Sequence, residues 1–204
     1  VQDMLREVRM ALLEADVALP AIKELIAAGT AKPGSLNYGS VGNASLSHLT
    51  GEYFNDLANL KMQHIPYNGG APMLAAFVGG QLQAAFVTGL DGAAMLASGR
   101  VRYLAVATPA ATDVVPGLPP IARDVPGFES IAWFGILAPR GVPQEVMSRL
   151  HAAVVAAVNQ PDVRKLFTER RVEARSSTPA ELQQRIGAEA QQWGQVIRKA
   201  GVTG

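Results

Sequence analysis

The chain opens on a helical period. Met4, Leu5, Val8, Leu12 and Ala15 recur on one face while Arg6, Glu7, Arg9 and Glu14 fall elsewhere, and Pro20 interrupts before a second set of Ile22, Leu25 and Ile26. Residues 1–28 are therefore expected to be helical, closed by a turn at Ala31-Lys32-Pro33-Gly34. The pattern then shortens. Leu36-Asn37-Tyr38 is a brief strand signal that runs into the small-residue turn Gly39-Ser40-Val41-Gly42-Asn43-Ala44-Ser45, and a helical stripe follows at once through Leu46, His48, Leu49, Tyr53, Phe54 and Leu57. The same strand, turn and helix recur twice. Met62-Gln63-His64-Ile65-Pro66-Tyr67 leads through Asn68-Gly69-Gly70 to a helix over 71–77, stopped by Gly79-Gly80. A third strand over 83–88 precedes a helix over 91–97, and 101–107 reads as a fourth strand, nearly all apolar as buried parallel strands are. Alternation of this kind predicts an α/β fold with a parallel sheet and right-handed crossovers.

Texture changes beyond Thr108. Prolines 109, 116, 119, 120 and 126 predict an extended connection over 109–130 rather than a packed element. Ala132-Trp133-Phe134-Gly135-Ile136-Leu137-Ala138-Pro139 is strand-like. Pro143 stands where a helix starts, with Val146, Leu150, Val154 and Val158 on one stripe, and Pro161-Asp162 opens another. In Thr178-Pro179-Ala180-Glu181 the threonine can cap, the proline suits the first helical position and the glutamate completes a capping box, for a last helix ending between Ala200 and Gly201.

Charge and composition narrow the chemistry. The formal net charge of +1 over 204 residues gives no footprint for nucleic acid or an anionic membrane surface. Cysteine is absent, which removes disulfides and thiol chemistry. No apolar run is long enough to span a bilayer, so no direct membrane insertion is expected, and the first residues do not form a secretory signal. The chemistry that remains lies at the glycine turn. A loop of small residues feeding a helix presents backbone N–H groups at the positive end of a dipole, a place to hold an anion, although Ser45 also reads as an ordinary N-cap. Ser40 lacks the GxSxG elbow of a nucleophile, the glycines do not make GxGxxG, and His48, His64 and His151 have no metal-ligand spacing. No cofactor, metal or catalytic residue is expected. His48 reads as a packed or capping histidine, and Trp133 and Trp193 as core or interface residues.

Two resemblances add to this. Residues 1–20, around Leu5-Arg6-Glu7-Val8-Arg9-Met10-Ala11-Leu12-Leu13-Glu14, resemble the N-terminal helical bundle of signal-recognition-particle GTPases, but without the GxxxxGK[ST] loop that nucleotide binding requires. From residue 21 onward, Lys32-Pro33-Gly34 through Asn43, His64-Ile65-Pro66-Tyr67-Asn68-Gly69, Gly79-Gly80-Gln81, Trp133 through Pro139, Asn159-Gln160-Pro161-Asp162 and Ser177-Thr178-Pro179 together resemble the tripartite tricarboxylate transporter receptor family of bacterial periplasmic solute-binding proteins. That resemblance implies a type II periplasmic-binding-protein-like fold of two lobes. Residues 1–28 would form an N-terminal helical segment and 29–108 the ligand-binding lobe. Residues 109–130 would connect the lobes, and 131–204 would be the C-terminal part of a first lobe that is incomplete here.

The resemblance further implies binding of a small organic carboxylate, without catalysis, for delivery to membrane transporter subunits in the periplasm. The ligand-binding residues it implies are Tyr38, Gly39, Ser40, Val41, Gly42, Asn43, Ala44 and Ser45, joined by Tyr67, Val87 and Thr88 at the ends of the next two strands. The family usually carries acids near Gln83 and at the position of Val87; valine there points away from an amino-acid ligand and toward a plain carboxylic acid. The competing expectation is a truncated or fused chain acting as a structural or interaction module without ligand.

Overall fold

The computed structural model describes residues 21–96, 99 and 101–203, with the side chains of 93–96 left aside. The helix expected over 1–20 lies outside these residues. The elements are α1 (Ala21–Ala31), β1 (Asn37–Ser40), α2 (Leu46–Leu57), β2 (Gln63–Pro66), α3 (Gly70–Val78), β3 (Ala84–Ala85), α4 (Gly89–Leu96), a 3₁₀ turn (Ile121–Arg123), α5 (Gln144–Val158), α6 (Pro161–Glu169) and α7 (Pro179–Ala200). The three strands form a parallel sheet in the order β2-β1-β3, with Tyr38 opposite both His64 and Ala84.

β1 is short, yet its two faces organise the sheet because successive side chains of a strand point to opposite sides. Tyr38 is wholly buried on one face, in a core with Ile22, Leu36, Phe54, Leu60, Met62, Ile121, Val125 and Phe128. There the tyrosine ring occupies the space beside Gly51 of α2, where an added Cβ would stand closer than 3.0 Å to it. On the other face Gly39 lies under Leu82 and Met73, which with Ala76 of α3 make a second core. The amide of Asn55 ties α2 to the start of β2, donating to Met62 O (3.0 Å) and accepting from Met62 N (3.2 Å). The α/β expectation with three parallel strands therefore holds.

Three local expectations are corrected. Residues 101–107 form no strand; Val106 makes a single bridge to Pro120. The reason is chemical: its neighbours Pro119 and Pro120 have no N–H to continue a ladder, and β3 is only two residues long. The connection over 109–130 is not merely extended, since Ile121, Val125 and Phe128 are buried in the main core. Residues 132–139 form no strand, with Phe134 93%, Ile136 75% and Leu137 72% exposed. Among the described residues no strand lies beside them to accept their hydrogen bonds.

The C-terminal helices start and stop where the sequence placed them. Thr178 caps α7 with its side chain accepting from Glu181 N (3.2 Å) while Glu181 Oε2 accepts from Thr178 N (2.7 Å), and Gly201 ends the helix at φ 66°. α7 docks on α2: Trp193 meets Tyr53 edge to face, Lys199 pairs with Asp56, and Trp133 Nε1 donates to Glu189 at 2.8 Å under the guanidinium of Arg185. Among the described residues no helix is long and apolar enough to cross a membrane.

The Tyr38–Gly51 contact makes a test of sign. Glycine to alanine inside a helix ordinarily stabilises by up to about 1 kcal/mol. Gly51→Ala should instead destabilise by about 1–3 kcal/mol, because the new methyl meets a fully buried ring. Urea unfolding followed by circular dichroism measures it, and a more stable variant would refute the packing argument.

Candidate functional site

The carboxyl ends of β1 and β2 are stitched side by side, with Tyr67 N donating to Ser40 O (3.0 Å) and Gly69 N to Val41 O (3.2 Å). From there the chain turns through Val41 to Ser45 and enters α2. Gly42 has φ 144° and Ala44 φ 56°, the latter an uncommon conformation for a residue with a side chain. Short polar side chains hold the turn from within. Ser45 Oγ donates to Gly42 O (2.7 Å) and accepts from His48 N (3.3 Å), so it is the N-cap. Ser47 Oγ accepts from Val41 N (3.1 Å) and lies 3.0 Å from Ser45 Oγ. The backbone N–H groups of Asn43, Leu46 and Ser47 have no acceptor among the described residues. Three unpaired donors therefore sit at the positive end of the α2 dipole, among neutral hydroxyls.

Beneath the turn lies a partly buried polar floor. His48 and His64 stack with ring centroids 3.6 Å apart and planes 7° from parallel. His48 Nδ1 accepts from Ala44 N (3.0 Å), and His64 Nε2 lies 2.6 Å from Ser40 Oγ. The Tyr38 hydroxyl donates to Glu52 Oε1 at 2.6 Å, and that carboxylate oxygen stands 3.9 Å from His48 Nε2. Burial, and then the hydrogen bond to Glu52, hold the Tyr38 phenol far above its ordinary range, so it remains a donor. Burial lowers the pKa of His48 against the opposing pull of Glu52. Burial, and then the neighbouring His48, bring His64 down to about 4. Both rings are neutral at pH 7.

The sequence-predicted residues separate into layers. Val41, Asn43 and Ala44 are exposed at the turn, and Gly42 and Ser45 are half-buried beside them. Gly39 and Ser40 lie below, buried in the sheet. Tyr38 lies deeper still: its ring is core and its hydroxyl donates to Glu52, so it supports the turn from underneath. Tyr67 and Val87 come together around Met73, Ala76 and Leu82. Thr88 caps α4, its Oγ1 donating to Asp91 Oδ2 (2.7 Å) and accepting from Asp91 N (3.2 Å). Val41, Val87 and Thr88 line an open cavity of about 2550 Å³ whose lining also includes Phe134, Ile136 and Leu137.

Sequence reasoning missed Ser47, Leu46, Glu52 and the histidine stack. Ser47 was legible as the second hydroxyl of a Ser-x-Ser helix start. The stack was not, because it depends on the parallel register of β2 against β1 and on the seat of α2. Among the described residues no group of His, Asp and Glu could hold a metal ion.

An open parallel sheet with a small-residue loop at its carboxyl edge, feeding a helix N-terminus, is the arrangement in which α/β binding proteins hold ligands beyond the carboxyl ends of their strands. The chain belongs to the family described as tripartite tricarboxylate transporter family receptor, whose sequence profile matches residues 1–202. The match takes in residues 1–20, so the segment set apart as similar to signal-recognition-particle GTPases falls within this family. A UPF0065 protein in the tcbD–tcbE intergenic region of a Pseudomonas strain is 28% identical over 188 residues, 91% of this chain and 56% of that protein. The R. palustris protein Rpa4515, solved with adipate, has a TM-score of 0.77 at 30% identity, covering 93% of this chain and 63% of that one. MatC from Rhodopseudomonas palustris, solved with bound malate, has a TM-score of 0.69 at 30% identity, with 86% and 61% covered. The chain thus spans little more than half to under two thirds of these relatives.

The histidine pair sets a pH dependence of stability. A histidine whose pKa is lowered by folding takes up its proton more readily when unfolded, so acid favours unfolding. Stability should be level above about pH 6.5, the ordinary histidine value, and fall as pH drops from there toward about 4, the His64 value. Thermal unfolding across that range measures it. The drop should flatten in His64→Phe; an unchanged slope would remove His64 as its source.

Proposed function

We propose that the chain binds a small organic carboxylate, without catalysis, in the cradle formed by Ser40 to Ser45 together with Leu46 and Ser47. The observation that carries this is the set of N–H groups of Asn43, Leu46 and Ser47 at the start of α2 that have no acceptor among the described residues. A carboxylate oxygen accepting two or three such bonds is held without a cationic side chain. Ser45 and Ser47 hydroxyls supply further partners, and Gly42 lets a ligand approach the backbone closely. Val87 and Thr88 line the cavity onto which Val41, Leu46 and Ser47 open, with Tyr67 packed on the core behind Val87, and the absence of an acid at Val87 favours a plain carboxylic acid. The dicarboxylates adipate and malate, held by two relatives of similar fold, support the ligand class.

In this reading the chain is a periplasmic receptor that hands its solute to the membrane subunits of a tripartite transporter, as its family membership suggests. Residues 29–108 act as the ligand-binding lobe, 109–130 as the link, and 131–204 as part of the facing lobe. The cavity of about 2550 Å³ supports that division, being several times wider than the ~300–1,000 Å³ of a finished small-molecule pocket. The exposed Phe134, Ile136 and Leu137 support it too, as core residues of a lobe whose other layers the described residues do not supply.

Calorimetry and thermal shift with adipate, malate and citrate test the proposal. Ligand at 100 times its dissociation constant should raise stability by about 2.7 kcal/mol. Gly42→Val should abolish the response with the fold retained, because a β-branched residue cannot adopt φ 144° at that turn. No response to any of the three acids, or a Gly42→Val variant that still responds, would overturn it.

A further inference from the structure

We propose that the stacked imidazoles of His48 and His64 are a positioning pair for the binding loop: uncharged, they hold Gly42 and Ala44 in their left-handed conformations, and a proton on His48 releases the loop. Its consequence for ligand affinity rests on the carboxylate reading above; its effect on the loop does not.

Each ring grips one of the two positive-φ residues. His48 Nδ1 accepts from Ala44 N at 3.0 Å, the side-chain contact that ties Ala44 at φ 56°. An imidazole nitrogen accepts only when it carries no proton, so His48 bears its hydrogen on Nε2, toward Glu52 Oε1 at 3.9 Å. His64 acts through Ser40, whose Oγ lies 2.6 Å from His64 Nε2, accepts from Gly42 N at 3.2 Å and lies 3.0 Å from Gly42 O. The rings, 3.6 Å apart and nearly parallel, fix each other's planes and therefore the aim of both nitrogens.

Protonating His48 at Nδ1 sets an N–H against the Ala44 N–H, and the tie becomes a repulsion. A charge on His64 faces the His48 ring and resists a second proton there, so the two titrate as a pair. Among the described residues, the other titratable groups facing the pair are Tyr38 from β1, tilted against His64 at 5.2 Å, and Glu52 from α2. Tyr38 stays protonated and engages Glu52, while Glu52 favours a charge on His48. Burial opposes that charge and keeps the pair neutral at pH 7.

Long-range ¹H–¹⁵N NMR of the histidine rings in the full chain, titrated from about pH 8 to about pH 4, tests the coupling without any ligand. At the alkaline end His48 should show the Nε2–H tautomer, and the Gly42 and Ala44 amide resonances should follow the imidazole titration. A His48 proton on Nδ1, or loop amides that stay still while the rings titrate, would overturn the proposal. His48→Phe keeps an aromatic ring against His64 but removes the acceptor. It should abolish the acid response of the Ala44 amide and weaken adipate binding about tenfold, the cost of one lost, part-buried hydrogen bond. Unchanged affinity in a folded His48→Phe would also overturn it; should that variant fail to fold, the wild-type titration decides. If adipate does not bind the wild type while the loop amides do follow the rings, the carboxylate reading fails and the positioning pair stands.

Discussion

The close contact between the Tyr38 ring and Gly51 is the constraint on which the loop geometry depends. β1 has four residues, too few to direct a helix by length alone. The fully buried ring pressed against a residue with no side chain brings α2 down onto the strand and sets its N-terminus beside the strand's carboxyl end. Only five residues, Val41 to Ser45, then remain to reverse the chain. That short a path requires positive φ at Gly42 and Ala44, and it puts His48 within reach of the Ala44 amide. The turn's strain, its hydroxyl ties and its unpaired donors follow from one packing decision below it.

The same closeness explains why the proposed cradle carries no charged side chain. The positive end of α2 attracts an anion through aligned peptide dipoles, an effect that fades within the first turn. Ser45 and Ser47 satisfy part of that turn and leave Asn43, Leu46 and Ser47 as donors. Placing an arginine here would bury a charge against the His48–His64 pair, whose environment already disfavours protons. A cradle of backbone N–H groups avoids that conflict.

Much of this was legible in the sequence wherever the cause was local. Ser45 as a cap, the Thr178–Glu181 capping box and the Gly201 stop depend on residues three or four apart, and each stands where it was expected. The three parallel strands were legible from their repeated strand–turn–helix order, although β3 shrank to two residues. What failed was non-local. Whether Val101 to Ala107 pairs depends on what lies alongside, and the neighbour offered Pro119 and Pro120. The seat of Tyr38, which the resemblance placed in the ligand loop, was not legible either: period-two alternation sends its ring into the core while Val41 reaches the surface. The histidine stack needed both the register of β2 and the seat of α2, neither of which a linear pattern encodes.

The two halves of the chain are also unequal in how they are held. The first has a buried core on each face of its sheet. In the second, α5 and α6 bury no residue fully and α7 buries only Val196. Among the described residues its links to the first half include α7 on α2, by Trp193 against Tyr53 and Lys199 with Asp56, the Thr50–Ser130 hydroxyl pair at 2.6 Å, and Arg171, which donates to Val114 O at 3.0 Å and packs against Gly89. Trp133, bound to Glu189 of α7, carries the exposed segment of Phe134, Ile136 and Leu137 with that helix. The opening between the proposed cradle and this apolar segment is therefore set in large part by the α7–α2 contact behind the sheet, together with the Arg171 contacts. Since α2 begins at the cradle and receives α7 along its length, any shift of α7 on α2 changes the far wall and leaves the unpaired donors where Tyr38 and Gly51 put them.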